Sequence, residues 1–357
     1  MASVAVTDAE LRHALGIIRS VGKGDEVTAF GRARFSTGFF SRFTRHKKMF
    51  KDYSELELDK FDVAFLVTDG ANEFGVKKHL KNALLPGKRN WERFRDKGDT
   101  FKLAKKLGIP MPKTWIMRSY SDDWDYPIRV KPAKSSGSRG SRKISDRWEM
   151  KQVGHELLEK YGKIIVQEEV EKRATVGVEL LYNKGKPRAV FQHKRIREYP
   201  VNGGPSTMRV SVNYRKTREL AEKLMTKTKW HGIAMVEFGI TKKGPVLFEV
   251  NPRWWGSLAL AIRSGVDFPR LYRDIVLKGD TEPVTKYRTG VVCKYFLFGD
   301  ILHFSKQGGI LRFIRSLGET SNFDIMSLRD PLPGLSRLPL AIEMSTNQEL
   351  KERYLIR

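Results

Sequence analysis

The stretch Gly232–Leu258, GIAMVEFGITKKGPVLFEVNPRWWGSL, most restricts what this chain can become. It predicts two strands, Ile233–Ile240 and Pro245–Val250, joined by a turn over Thr241–Gly244. Two carboxylates, Glu237 and Glu249, stand on otherwise apolar strands. Asn251 follows Glu249 by two residues, so strand alternation places both on one face. Carboxylate and amide oxygens together suit a hard cation, Mg²⁺ or Mn²⁺. Such an ion commonly takes further oxygens from nucleotide phosphates. Taken alone, the hairpin has a second reading, a half-buried pair of strands whose acids face solvent. The remainder of the chain has to decide between the two.

The chain has 357 residues, 40% of them hydrophobic, which allows two or three domains and a substantial core. No apolar run is long enough to span a bilayer, and the start lacks a basic-then-apolar signal pattern. The expected location is cytoplasmic. Cys293 is the only cysteine, which excludes a disulfide scaffold and cysteine-based zinc sites. Lys and Arg total 67 against 41 acids, a formal charge of +26. The excess is spread out, densest in the middle, with no basic tail. A field of this sign attracts nucleotides, nucleic acid, acidic peptides or anionic surfaces, and it also fits a uniformly basic background.

At the N-terminus, Val4–Val6 predicts a first strand. Thr7 and Asp8 are expected to cap a helix carrying Leu11, Leu15 and Ile18, which ends at Gly22 and Gly24. Glu26–Phe30 and Phe61–Thr68 predict further strands. Strand, helix, strand in this order implies a small doubly wound α/β unit. Between them, Phe35–Phe50 (FSTGFFSRFTRHKKMF) interleaves rings with cations. It reads either as a strand and helix with a solvated basic face or as a single-strand nucleic-acid strip.

The middle of the chain is richer in phosphate chemistry. A helix over Phe101–Leu107 is expected to be capped by Asp99 or Thr100 and closed by Gly108, with Lys97 just before it. A lysine beside a helix N-terminus can meet a phosphate together with free N–H groups. Pro127–Val130 predicts a strand that Lys131-Pro132 ends. The run Lys134-Ser-Ser-Gly-Ser-Arg-Gly140 then reads as a flexible loop able to close over phosphates, or as a plain hairpin turn. It is neither a Walker A nor a G-x-G-x-x-G motif. Lys163–Val170 predicts a strand with Gly177–Tyr182 as its partner, and Ala189–Gln192 extends that sheet. Lys194, Arg195 and Arg197 lead into Tyr199–Thr207, a Pro/Gly-rich loop suited to an anionic substrate or to a bare turn. Thr217–Thr228 and Leu258–Ile262 read as helices, Gly290–Phe298 as a strand, Ile310–Leu317 as a helix, and Asp330–Gly334 as an extended breaker.

Taken in order, these pieces resemble the ATP-grasp superfamily of carboxylate–amine ligases. The likeness runs nearest to the synthetase domains of carbamoyl-phosphate synthase and covers most of residues 60–280. It rests on Asp96-Lys97 with the Gly-Ile-Pro-x-Pro exit, Val130-Lys131-Pro132 with the Ser/Gly loop, Gln167–Val170, and Glu237…Glu249-Val-Asn251-Pro-Arg253. The resemblance implies an α/β fold. A small doubly wound N-terminal domain over 1–90 would precede a two-lobed ATP-grasp domain with an antiparallel sheet, lobe A about 91–166 and lobe B about 167–280. Residues 281–357 would form an extension packed on it.

By the same resemblance, Lys97 and Lys131 would contact ATP phosphates, and Ser135, Ser136, Gly137, Ser138 and Gly140 would form the mobile phosphate loop. Gln167, Glu168, Glu169 and Val170 would form the hinge that reads adenine. Glu237, Glu249 and Asn251 would hold Mg²⁺, and Arg253 would face the transferred phosphoryl group, with Lys131 beside it in catalysis. Thr175 stands where relatives often carry a ribose-binding acid, with Glu179 further along the strand. The implied reaction activates a carboxylate as an acyl phosphate for attack by an amine or another nucleophile. The substrates would be small-molecule or peptide carboxylates and amines, or, given the charge, an acidic polymer. His193 and His231 are candidate bases, though a histidine near a strand end is more often structural. Two other readings remain at this stage, a non-catalytic nucleotide-binding relative and a basic nucleic-acid-binding protein.

Overall fold

A computed structural model describes residues 1–135, 139–201, 203–307, 309–320 and 322–354. The first sheet holds β1 (Ser3–Val6), β2 (Glu26–Gly31), β3 (His46–Met49) and β4 (Val63–Phe65) in the order β3-β2-β1-β4, all parallel. Helix α1 (Arg12–Val21) connects β1 to β2, and α2 (Asp69–Lys78) follows β4. This is the doubly wound unit expected from the alternating pattern, with two local differences. Thr7 and Asp8 do not cap α1, whose N-cap is Leu11 without a side-chain bond. Asp8 instead takes a positive φ and accepts hydrogen bonds from Thr7, Thr68 and Tyr53. The fourth strand is short because the chain turns at Thr68, whose hydroxyl accepts from the Ala71 N–H and starts α2.

Helices α3 (Lys88–Arg95) and α4 (Lys97–Lys106) lead to a second, antiparallel sheet. It contains β5 (Thr114–Met117), β6 (Ile128–Pro132), β7 (Arg142–Ile144) and β8 (Ile164–Glu168) in the order β5-β8-β6-β7. Helix α5 (Arg147–Tyr161) packs Met150 and Leu157 against Val130, Ile144 and Val166 of this sheet. The cap of α4 is Asp96, which accepts from the N–H groups of Gly98 and Asp99 and also pairs with Lys163. Lys97 is therefore the first residue of the helix and not the residue before it, since the cap lies three residues before Asp99 and four before Thr100.

The third sheet is the largest. Strands β9 (Ala174–Asn183), β10 (Lys186–Glu198), β11 (Ser206–Ser211), β12 (Gly232–Thr241), β13 (Gly244–Asn251) and β14 (Val292–Lys294) run antiparallel in the order β13-β12-β9-β10-β11-β14. The partner expected for the 163–170 strand, Gly177–Tyr182, lies in this sheet and not beside β8. Both segments are apolar runs, and nothing local to either says which sheet each joins. Helix α6 (Arg215–Lys227) precedes β12, and α7 (Leu258–Ser264) and α8 (Phe268–Lys278) follow β13.

Alternation sorts the third sheet into two faces. Ala234, Val236 and Phe238 of β12, with Val178, Leu180 and Tyr182 of β9, pack on Phe94, Phe101, Leu220 and Leu224 from the helices. Ile233, Met235 and Leu181 face the other way, onto the first sheet, α1 and α7. Glu237 shares the parity of Ile233 and Met235, so it lies on that second face, just beyond its apolar cover. The C-terminal part forms α9 (Ile301–Gln307), α10 (Gly309–Ser316), α11 (Leu332–Leu335), α12 (Arg337–Thr346) and α13 (Gln348–Tyr354). Residues 332–335 are thus a helical turn and not an extended breaker, since proline is tolerated in a first helical turn. Asp330 anchors it by bonding Arg19, Ser41 and the Arg42 N–H.

Candidate active site

The β12–β13 register places Glu237 directly opposite Glu249, and Met235 opposite Asn251. A bulge lies between Glu237 and Phe238, so Phe248 is the extra residue on β13. This shift lets Leu247 and Val250 both enter the apolar core while Glu249 and Asn251 stay on the polar face. The Phe248 ring then lies over Gly239, where a Cβ would stand 2.1 Å from it. Asn251 Nδ2 donates to Glu249 Oε1 at 3.1 Å, and Arg253 Nη2 donates to Asn251 Oδ1 at 3.2 Å. Arg253 Nε also lies 3.4 Å from Asp69 at the start of α2, and Arg95 lies 3.2 Å from the same carboxylate.

Cations approach this cluster from the second sheet and from α4. Strand β13 is an edge strand, and Lys131 Nζ, at the end of β6, donates to its Phe248 carbonyl at 3.4 Å. Burial and the neighbouring cations Lys97 and Arg129 depress the Lys131 ammonium to about 7, with Glu249 opposing. Burial likewise lowers Lys97, whose Nζ donates to the carbonyl and hydroxyl oxygens of Ser135 at 2.7 and 3.1 Å. For Glu249, burial raises the carboxyl, but Lys97, the Asn251 bond, Lys131 and Arg195 outweigh it and hold the group below the usual carboxylate range. The site is a compact set of acids and cations whose charges sustain each other only in proximity.

The other expected site residues have individual roles. Ser136, Gly137 and Ser138 lie outside the described residues. Gly140 has a φ of +70°, and a Cβ there would meet Pro132 at 2.8 Å, so this end of the loop needs glycine for packing. Gln167 is buried and donates to Thr114 Oγ1 at 2.7 Å. Glu168 accepts from the Lys113 N–H at 3.0 Å, and Glu169 takes a bidentate pair from Arg129 at 2.8 Å. Those side chains serve the second sheet, while the backbone of 169–170 leaves it toward β9. Thr175 Oγ1 accepts from Lys172 at 3.1 Å. Glu179 is fully buried, accepts from the Ser257 hydroxyl, and has Oε1 3.0 Å from His193 Nδ1. His231 accepts from the Lys184 N–H, at the far end of β9 from Glu237.

Two cations belong to the cluster that no motif singled out by role. Arg195 on β10 donates to Glu237 Oε1 and to the Gly204 carbonyl, and sits 3.6 Å from Glu198. Burial lowers its guanidinium, and Glu237, Glu198 and Glu249 more than reverse that. Lys172 lies over the Phe248 ring and feels Glu198 and Glu237, while burial lowers it. The run Lys194–Arg197 flagged this region, but only the strand pairing shows that Arg195 turns to Glu237 while Arg197 turns to Asp300 and Glu319.

The donor set fits a hard cation in part. Two carboxylates and one amide oxygen are present, and no group of three His, Cys, Asp or Glu side chains forms among the described residues. Mg²⁺ retains several waters or phosphate oxygens, so a two-carboxylate set suits an ion brought with a nucleotide better than a resident one.

Residues 94–257 match the ATP-grasp domain family. A D-alanine–D-alanine ligase from Aquifex aeolicus is 29% identical over 199 residues, 51% of this chain and 68% of that protein. A phosphoribosylamine–glycine ligase from Thermococcus gammatolerans is 27% identical over 266 residues, covering 63% of this chain and 58% of that protein. Among solved structures, N5-carboxyaminoimidazole synthetase from Staphylococcus aureus superposes with a TM-score of 0.65 at 14% identity, over 81% of this chain and 80% of that one. Biotin carboxylase from Campylobacter jejuni superposes with a TM-score of 0.64 at 14% identity, over 82% and 74%. The match gives residues 94–257 as an ATP-grasp domain, the superpositions show the same fold over most of the chain, and no helix of its described residues is long and apolar enough to cross a membrane.

Proposed function

We infer that the chain is an ATP- and Mg²⁺-dependent ligase that joins a carboxylate to an amine. The observation that carries this reading is the pairing of Glu237 opposite Glu249 with Lys97 and Lys131 facing Glu249 across the β13 edge. Lys97, Lys131 and the loop from Ser135 bind and orient the triphosphate, with Val170 and its neighbours as the adenine hinge. Glu237, Glu249 and Asn251 hold the metal ion, which when bound offsets phosphate charge. Arg253 and Arg195 face the transferred group. The substrate carboxylate attacks the γ-phosphorus, the bond to the β-phosphate oxygen breaks, and ADP leaves. A neutral amine then attacks the acyl carbon. The bond from that carbon to the phosphate-bound oxygen breaks, and phosphate leaves with that oxygen. The amine nitrogen gives up one proton to the departing phosphate or to solvent. Positioning and charge neutralisation supply most of the rate in such transfers.

Two relatives are named as ligases of D-alanine with D-alanine and of phosphoribosylamine with glycine. Amino acids and short peptides are therefore the first substrates to test. The experiment is a screen of acids and amines for Mg²⁺-dependent ADP formation, with mass spectrometry of the product. ADP formation should require both an acid and the metal. An inability to bind MgATP at all, or ADP release indifferent to every acid, would overturn the ligase reading.

A further inference from the structure

The segment from Val27 to Lys51 contains no Asp or Glu, yet it carries six exposed cations: Arg34, Arg42, Arg45, Lys47, Lys48 and Lys51. None of them forms an ion pair with a carboxylate of the described residues; the nearest pair in the segment is His46 with Glu26 at 2.7 Å. Three of the six lie on or next to β3. Among the described residues this strand pairs with β2 alone, in the register Thr28–His46 to Gly31–Met49, and no described strand lines its outer rim. All four residues of β3 are exposed, Met49 by 55%. Beside it, the Phe35 and Phe40 rings stack at 6.2 Å, with Lys47 5.8 Å from the Phe40 ring centre.

We propose that the outer edge of β3 is a docking edge for an extended acidic segment of another polypeptide, which adds to the sheet as a fifth strand. Main-chain groups on a bare edge supply pairing without regard to sequence, and the flanking side chains supply selection. Lysines on an edge keep two copies of this chain apart, because both carry the same charge. They draw in a strand of the opposite charge. Nucleic acid fits less well. The Phe35 and Phe40 rings stack on each other and Phe35 is only 39% exposed, which leaves little free ring face for a base. The edge is separate from the candidate active site, so the inference stands whether or not the ligase reading does.

The test is fluorescence anisotropy of the full chain with a labelled Thr-Glu repeat peptide, at low and at physiological salt. The Thr-Glu repeat should bind, more tightly at low salt. A Pro-Glu repeat of equal charge lacks half the main-chain donors and should bind about tenfold or more weakly. Lys47→Glu with Lys48→Glu should cost about tenfold or more in affinity with the far-UV spectrum unchanged. Lys47→Gln with Lys48→Gln should fall between that pair and the unaltered chain. Equal binding of the Pro-Glu repeat, indifference to the charge reversals, tighter binding of an oligothymidylate of equal length, or no peptide binding would each overturn the proposal.

Discussion

Glu237 and Glu249 face each other across the β12–β13 pair, each with a cation of its own: Arg195 for Glu237, and the Lys97–Lys131 pair for Glu249. Like charges directly opposite on adjacent strands destabilise a sheet, and these cations offset that cost. Glu249→Ala should reduce Mg²⁺-dependent ADP formation by about 100-fold or more, and the melting temperature measured without metal should fall, because Lys97 and Lys131 lose the buried carboxylate that faces them. Unchanged turnover in that variant would remove Glu249 from the metal set.

On the ligase reading, Lys131 should make nucleotide binding pH-dependent. Its ammonium is depressed to about 7 in the free protein, so above that pH the side chain is mostly neutral until a phosphate arrives. Binding should then draw in a proton, and MgATP affinity should weaken by up to about tenfold per pH unit above 7. Calorimetry in two buffers of different ionisation enthalpy would report the uptake. Lys131→Met should flatten the dependence and bind weakly at every pH.

The hairpin, its turn and its two acids were legible from residue type and alternation alone, and so was the order of the phosphate-seeking pieces. What escaped was long-range. Asp96 caps α4 because Lys163, far along the chain, holds its second oxygen, whereas Asp99 and Thr100 are equally good caps by type. Arg195 and Arg197 are both cations on β10, and only the neighbouring strands give one to Glu237 and the other to Asp300. Thr175 stands where relatives often carry a ribose-binding acid, and Glu179 is the acid further along β9. Its burial under Ser257 and beside His193 comes from the turn after β13, which no pattern in β9 foretells.

Glu10 sets a second pH effect, this time on stability. It is buried and accepts from the N–H groups of Arg32 and Ala33. Burial and the neighbouring Asp8 raise its carboxyl to about 7, above the unfolded value near 4.5. The native state therefore binds more protons between those values. The stability Glu10 contributes is fully present below 4.5 and lost as pH rises through 7. Glu10→Gln keeps the acceptor oxygen and should raise stability at pH 8 by roughly 1–3 kcal/mol, read from denaturant midpoints, with a much smaller gain at pH 4. An equal gain at both would show that the proton plays no part.

Gly177 lies between Glu237 on β12 and His193 on β10, and is opposite both. The His193 ring fills the space a side chain would take, since a Cβ on Gly177 would stand 2.4 Å from Cε1. Gly177→Ala should cost about 1–3 kcal/mol by overpacking. It should also lower turnover through displacement of the row that carries Glu237. Gly24→Ala, where a Cβ meets nothing within 4 Å, serves as the control and should leave both readouts near their starting values.

A substitution at Arg195 should separate metal binding from turnover. Arg195 holds Glu237 Oε1 in the absence of a metal ion, and so competes for a ligand oxygen. On the ligase reading it would also add positive charge beside the transferred phosphoryl group. Arg195→Met should therefore do two opposite things. Mn²⁺ affinity without nucleotide, read by electron paramagnetic resonance, should tighten by a few-fold, because Glu237 no longer has a protein cation to give up. The kcat of ADP formation should fall by about 10- to 100-fold, with KM for ATP changing less, because a charge that assists the transition state is gone. A purely structural Arg195 would lower stability and both readouts together, and a loss of Mn²⁺ affinity would show that the Arg195–Glu237 pair builds the metal site instead of restraining it.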